Sequence, residues 1–156
     1  MPIDLKNRDS LGESYASLLG GQYQLYVEMA DRISARRMLA NSFFVGVNTA
    51  LIAALTIMLK NEILVPDLLG FAPFAAVLLM CGVWWRLIKS YRQLNSAKFQ
   101  IIHALEQALP ADPYTAEWML LDKGHSPQDY LPLTHVESWV PWCFALLYVF
   151  LAASLF

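Results

Sequence analysis

Three long stretches of this sequence contain no charged residue, and they constrain the fold more than any other feature. They cover residues 38–59, 68–85 and 138–156. An α-helix needs about 20 apolar residues to cross roughly 30 Å of hydrocarbon. The sequence therefore predicts an all-α integral membrane protein with three transmembrane helices. Gly70 and Pro73 make the second span the weakest prediction, because they can shorten its start or make it re-entrant.

The alternative is that these stretches are the core helices of a soluble protein. Charged residues make up only 15% of the chain, whereas a soluble domain carries about 25%. Too little amphipathic chain remains to cover three such helices, so a membrane protein is favoured. Cys81 and Cys143 each lie within an apolar run. We expect them to be packing residues and not a disulfide or part of a zinc site.

Lysine and arginine are distributed unevenly around the three spans, and this predicts an orientation. Five precede the first span, one lies in the 60–67 loop, five lie within residues 86–137, and none follows the third span. Positive charge accumulates on the cytoplasmic side of a membrane. We therefore predict a cytoplasmic N-terminus and a cytoplasmic 86–137 segment, with the 60–67 loop and the C-terminus outside.

Apolar residues recur at helical spacing in the two predicted cytoplasmic segments, the one before the first span and the one after the second. The prediction is a single membrane domain, residues 1–156, in which residues 1–37 and 86–137 continue the membrane helices as an antiparallel pair. The second helix should stop at Pro110. A short helix should follow, capped by Asp112 and ended by Gly124, and residues 126–132 should form a loop. Pro141 predicts either a kink in the third span or a fresh helix start at Ser138.

The first span carries two faces of different character. One face repeats small residues every four positions, which lets helices approach closely; these are Gly46, Ala50 and Ala54. The other face is polar and consists of Asn41, Asn48, Thr49 and Thr56. The favoured interpretation is that the amides form interhelical hydrogen bonds. The alternative is that they line a water-filled path, which requires an oligomer because three spans cannot enclose a pore.

Basic and aromatic residues gather at the predicted cytoplasmic interface. The basic collar consists of Arg36, Arg37, Arg86, Lys89 and Arg92. We expect it to contact anionic lipid, with an anionic ligand as the alternative. The predicted interface anchors are Trp84, Trp85, Trp139 and Trp142, because the indole ring favours the boundary between lipid and water.

No arrangement of side chains predicts catalysis. His103, His125 and His135 are far apart in sequence and have no metal-ligand spacing, and we expect His103 and Glu106 to form a surface pair. Phosphate-binding glycine loops and nucleophile motifs are missing from the sequence. The interpretation is a non-enzyme with no cofactor, no metal and no nucleic-acid partner. Since no span contains a charged residue, a proton pump or coupled transporter is also disfavoured.

Several segments of the sequence together form a recognisable pattern. They are QYQLYVEMADRISARR at 22–37, ANSFF at 40–44, NTA at 48–50, WWRLIKSYRQLN at 84–95 and AKF at 97–99, followed by Leu109-Pro110 and Glu117-Trp118. In these segments the sequence resembles the RipA-like family of octameric bacterial inner-membrane proteins. The resemblance implies a homo-oligomer, named for an octamer, in a bacterial cytoplasmic membrane, without known enzymatic activity.

Two functions follow as hypotheses. The layout is also similar to SLATT-type membrane effectors, which implies a channel or pore-like assembly with a cytoplasmic helical crown. The alternative is a non-conducting scaffold that organises lipid or recruits partner proteins. The expected partners are other copies of the chain and membrane lipids, and the sequence identifies no protein partner.

Overall fold

The computed structural model describes residues 14–63, 68–121 and 133–154. These residues form four helices and no strand: α1 Ser14–Lys60, α2 Leu68–Glu106, α3 Pro113–Leu120 and α4 Leu133–Ala153. Helices α1, α2 and α4 are long and apolar enough to cross a membrane. The predicted all-α membrane fold with three transmembrane helices is therefore confirmed. The predicted loop at 126–132 lies outside the described residues.

The chain divides into two compact units. The polar unit contains residues 1–36 and 91–132, and the membrane unit contains residues 37–90 and 133–156. The predicted grouping of all residues into one membrane domain stays a prediction. Each unit is described below by its own contacts.

In the membrane unit, three helices pack around one apolar core. Its buried members are Leu55, Phe74, Val77, Cys81 and Tyr148. Helices α1 and α2 are antiparallel, since Asn41 contacts Trp84 while Asn48 contacts Cys81. Helix α4 runs parallel to α1, since Arg37 pairs with Glu137 while Asn48 contacts Tyr148. These directions agree with three successive crossings.

The polar unit contains the ends of α1 and α2 that extend beyond the spans. Tyr23 on α1 bonds Glu106 on α2, and the Lys98 ammonium lies 5.1 Å from the centre of the Tyr26 ring. The two helices therefore run antiparallel here, which confirms the predicted pair. Their buried faces meet through Leu19, Ala30, Ile33, Ile102 and Leu105, each at most 7% exposed.

Two helix boundaries differ from the predictions, and one of the two alternatives predicted for the third span is ruled out. Helix α2 ends at Glu106 and not at Pro110. The N–H groups of Ala108 and Leu109 donate to the carbonyls of Leu105 and Glu106, three residues back instead of four, so the α-helical pattern stops there. Helix α3 ends at Leu120, before the predicted stop at Gly124. Helix α4 is continuous through Pro141, so the alternative of a fresh start at Ser138 is wrong. A membrane helix tolerates an internal proline when neighbouring helices pack around it, and Pro141 is fully buried.

Candidate functional site

The polar residues of the first span meet partners on the other two membrane helices. Asn48 is 0% exposed, as is Tyr148 on α4. The Tyr148 hydroxyl donates to Asn48 Oδ1 at 2.9 Å, and the Cys81 thiol on α2 lies 3.6 Å from the same oxygen. Asn48 Nδ2 donates to the Phe44 carbonyl at 2.8 Å. This buried polar cluster joins α1, α2 and α4, and every polar atom of the Asn48 amide has a partner inside the subunit.

The second amide, Asn41, has an equally internal partner. Trp84 Nε1 donates to Asn41 Oδ1 at 3.0 Å. The Trp84 ring is 1% exposed and stacks on Phe44 at 5.4 Å between ring centres, with Phe144 at 5.8 Å. Trp84 therefore packs between the three helices. Of the other predicted anchors, Trp139 and Trp142 are 70% and 52% exposed, and their role at the interface stays a prediction, as does that of Trp85.

The remaining polar residues of the first span point away from the core of the subunit. Thr49 and Thr56 are exposed, and their hydroxyls donate to the Val45 and Ile52 carbonyls of their own helix at 2.8 Å. The predicted close-packing face is exposed as well; it comprises Gly46, Ala50 and Ala54. A Cβ atom at Gly46 would meet nothing within 4 Å. This face is thus available to lipid or to another subunit.

An ion pair joins α1 to α4 at the start of the membrane unit. Arg37 Nε lies 3.3 Å from Glu137 Oε2, with the side chains 16% and 23% exposed. The two atoms lack hydrogen-bond geometry and have no other hydrogen-bond partner. Sequence reasoning placed Arg37 in the basic collar and missed the pair, because the two residues are a hundred positions apart.

The other collar residues are divided between the two units. Arg86 and Lys89 belong to the membrane unit and are exposed, with the Lys89 ammonium 5.3 Å from the centre of the Trp85 ring. Arg36 and Arg92 belong to the polar unit, and both side chains are exposed as well. Binding of lipid or of an anionic ligand by these residues stays a prediction.

A buried carboxylate organises the end of the polar unit. Glu106 is 1% exposed and accepts hydrogen bonds from the Tyr114 N–H at 2.8 Å, the Thr115 N–H at 3.1 Å and the Thr115 hydroxyl at 2.7 Å. The Tyr23 hydroxyl donates to it at 3.1 Å. The predicted pairing of His103 with Glu106 is present, but it is not a surface pair, because Glu106 faces inward and caps α3. Asp112, the predicted cap, makes no capping side-chain bond.

Helix chemistry explains why a carboxylate occupies this place. The first backbone N–H groups of a helix have no intrahelical acceptor, and the helix dipole favours negative charge there. Burial raises the pKa of Glu106, but the bonds from Thr115, the Tyr114 N–H and His103 outweigh it, so the pKa lies below its ordinary value. Burial and the Glu106 carboxylate raise the pKa of Tyr23 to about 12. Glu106 is therefore ionised and Tyr23 is a neutral donor.

A pocket of about 560 Å³ opens beside this carboxylate. His103, Asp112 and Trp118 are among the residues that line it. His103 Nδ1 lies 3.0 Å from the Thr115 hydroxyl oxygen and 3.3 Å from Glu106 Oε2. Since the Thr115 hydroxyl already donates to Glu106, Nδ1 carries the proton and Nε2 is left as the acceptor in neutral His103. Within the described ranges, no group of three potential metal ligands exists.

Sequence reasoning missed Glu106 and Tyr148. A lone phenol in an apolar span was an available signal for Tyr148, because a buried tyrosine hydroxyl needs a hydrogen-bond partner. Glu106 carried no such signal, since its contacts depend on the turn at residues 107–112 folding α3 back onto α2.

Comparison with known proteins gives one family. Residues 21–156 match the octameric membrane protein family, 8xMP. The comparisons with curated proteins and with solved structures found no significant match. The match covers all four helices apart from the first turns of α1, and a membrane protein family agrees with the three helices that are long and apolar enough to cross a membrane. The chain belongs to the octameric membrane protein family.

Proposed function

We propose that this chain forms a non-conducting homo-oligomeric scaffold in the bacterial cytoplasmic membrane. The membrane unit holds the copies in the bilayer, and the polar unit of each copy is displayed in the cytoplasm to recruit partners. The observation that carries this proposal is the complete burial of Asn48 and its bonding to Tyr148 within one subunit.

This observation matters because conduction needs polar groups that face water. Selectivity filters and pores present carbonyls, charged rings or hydroxyls to the permeating species. Here both amides of the first span are bonded to side chains of their own subunit. Exposing them would require the three helices to separate, which would leave Tyr148 and Trp84 without acceptors. The geometry therefore favours a scaffold over a pore lined by these amides.

Thr49 and Thr56 favour a second candidate, a pore at the centre of the oligomer. Both side chains are exposed and lie seven residues apart on α1. Their hydroxyl hydrogens are used within the helix, but each oxygen keeps a lone pair that can face water. In this candidate α1 lines the ring, while in the scaffold α1 faces lipid or another helix.

Substituted cysteines distinguish the two candidates. Thr49→Cys lies near the middle of the first span, and Leu147→Cys is a control at the middle of the third span, where Leu147 is 50% exposed. In a Cys143→Ala background, we expect a charged, membrane-impermeant thiol reagent to label neither position in the oligomer. Asn61→Cys, in the exposed turn after α1, is the positive control. Labelling of Thr49→Cys at a rate near that of Asn61→Cys, with Leu147→Cys unlabelled, would establish the pore.

A further inference from the structure

The polar unit exposes large apolar side chains on two separate surfaces. The α3 knob consists of Trp118, Met119 and Leu120, which are 40%, 62% and 86% exposed, and no described residue of α3 is buried. The α1 stripe consists of Leu18, Leu25 and Met29, which are 51%, 53% and 39% exposed. Both surfaces belong to the polar unit and lie outside the three predicted spans. Contiguous apolar surface of this kind marks an interaction site.

The α1 stripe has a shape that can receive a bulky side chain. Leu18, Leu25 and Met29 are spaced by seven and four residues and so share one helix face. Gly21 lies beside them, and a Cβ atom there would meet nothing within 4 Å. The missing side chain leaves a gap between Leu18 and Leu25. Glycine within a helix costs stability relative to alanine. A contact with a neighbouring subunit that fills the gap would offset this cost.

The symmetry of a membrane octamer requires two different surfaces of this kind. Dihedral symmetry would insert half of the subunits upside down, so subunits with one orientation must form a cyclic ring. A cyclic ring of eight uses heterologous contacts, in which one surface of each subunit binds a different surface of the next. The α3 knob and the α1 stripe are two such surfaces.

The start of α3 lies level with the α1 stripe. The Tyr114 ring at the start of α3 is 6.5 Å from the Tyr23 ring on α1, measured between ring centres, and Tyr23 lies between Leu18 and Leu25 in the sequence. The α3 knob begins four residues after Tyr114, so at a rise of 1.5 Å per residue it lies within about 10 Å of it along α3. Rotation about the ring axis keeps every atom at its own height, and the α1 stripe itself extends over about 16 Å, so the two surfaces of neighbouring subunits can meet.

We infer that the α3 knob of each subunit packs into the α1 stripe of the next copy of this chain, with the gap at Gly21 receiving an apolar side chain. The occupant is a second copy because the family is octameric and because a single chain carries both halves of the contact. The inference does not depend on whether the assembly conducts.

A mixing experiment tests this contact. Leu25→Asp disables the stripe and Leu120→Asp disables the knob, while Gln24→Asp adds the same charge at a neighbouring exposed position of α1 as a control. In mild detergent, native mass spectrometry should show octamers for the wild type and for Gln24→Asp, and at least a tenfold loss of octamers for each of the other variants. When differently tagged Leu25→Asp and Leu120→Asp subunits are co-expressed, one intact junction remains for each pair, so heterodimers should form without rings.

A second variant covers the case in which a charge unfolds the polar unit. Gly21→Gln places a good helix former at this position, so α1 is strengthened while the gap is filled. Octamers should again be lost although helical content is retained by circular dichroism. Octamers that persist in Leu25→Asp, Leu120→Asp and Gly21→Gln would overturn the inference. Mixed subunits that stay monomeric would overturn the pairing of knob with stripe.

Discussion

Trp84→Ala is expected to destabilise the membrane unit by about 3–5 kcal/mol, the range for removing a large buried aromatic side chain. The Trp84 ring is 1% exposed and contacts Phe44 and Phe144. Truncation leaves a cavity between α1, α2 and α4, which lipid chains cannot fill from outside, and it leaves Asn41 Oδ1 without its donor. Reversible unfolding in mixed micelles measures the loss of unfolding free energy. Far-ultraviolet circular dichroism is the signal, because it does not depend on tryptophan fluorescence.

The matched control is Trp139→Ala on α4, because Trp139 is 70% exposed. Its removal opens no internal cavity, and we expect a change of less than about 1 kcal/mol. Trp84→Phe separates the two contributions, since it keeps an aromatic ring but loses the bond to Asn41. Equal losses for Trp84→Ala and Trp139→Ala would show that Trp84 does not pack between the helices.

Glu106→Ala is expected to release α3 from α2 and to cost at least about 3 kcal/mol, because each hydrogen bond to a charged acceptor contributes roughly 1.5–3 kcal/mol and several are lost together. The N–H groups of Tyr114 and Thr115 and the hydroxyls of Tyr23 and Thr115 all lose their acceptor. Hydrogen exchange of the Tyr114 and Thr115 amides should accelerate strongly. Glu117→Ala on the exposed side of α3 is the control and should leave both amides protected.

The same carboxylate gives the polar unit a defined pH dependence. The pKa of folded Glu106 lies below its ordinary value, so the folded state binds fewer protons than the unfolded state. The stabilisation is complete above the ordinary carboxyl pKa and is lost as pH falls through the lowered value. Acid should therefore lower the protection of the Tyr114 and Thr115 amides in the wild type, with each exchange rate compared with the intrinsic rate at the same pH. In Glu106→Gln, exchange should be faster at neutral pH and this acid-dependent change should be smaller.

Helix positions were predictable because they depend on local sequence. An uncharged stretch of about 20 residues has one stable structure in hydrocarbon, and the apolar spacing of residues 14–37 gave the helical extension of α1. The boundaries near Glu106 and Leu120 were missed because they depend on a tertiary bond, the capping of α3 by a distant carboxylate. Local rules favoured Asp112, which stands at the right position but makes no capping bond.

The candidate site was predictable only in part. The spacing of Asn41 and Asn48 placed both amides on one polar face of the first span. It did not show on which neighbouring helix each amide finds its hydrogen-bond partner. That choice depends on where Trp84 and Tyr148 lie on the other helices. Arg37 shows the same limit, since it was assigned a role from its neighbours in sequence while its contact, Glu137, lies on another helix.

Ion flux through reconstituted octamers tests the scaffold most directly. Purified octamers, with the copy number verified by native mass spectrometry, are placed in liposomes loaded with potassium chloride and a small anionic dye. A non-conducting scaffold should leak potassium, chloride and dye at the rate of protein-free liposomes, with an added ionophore as the positive control. Sustained flux above that rate through octamers that remain intact would contradict it.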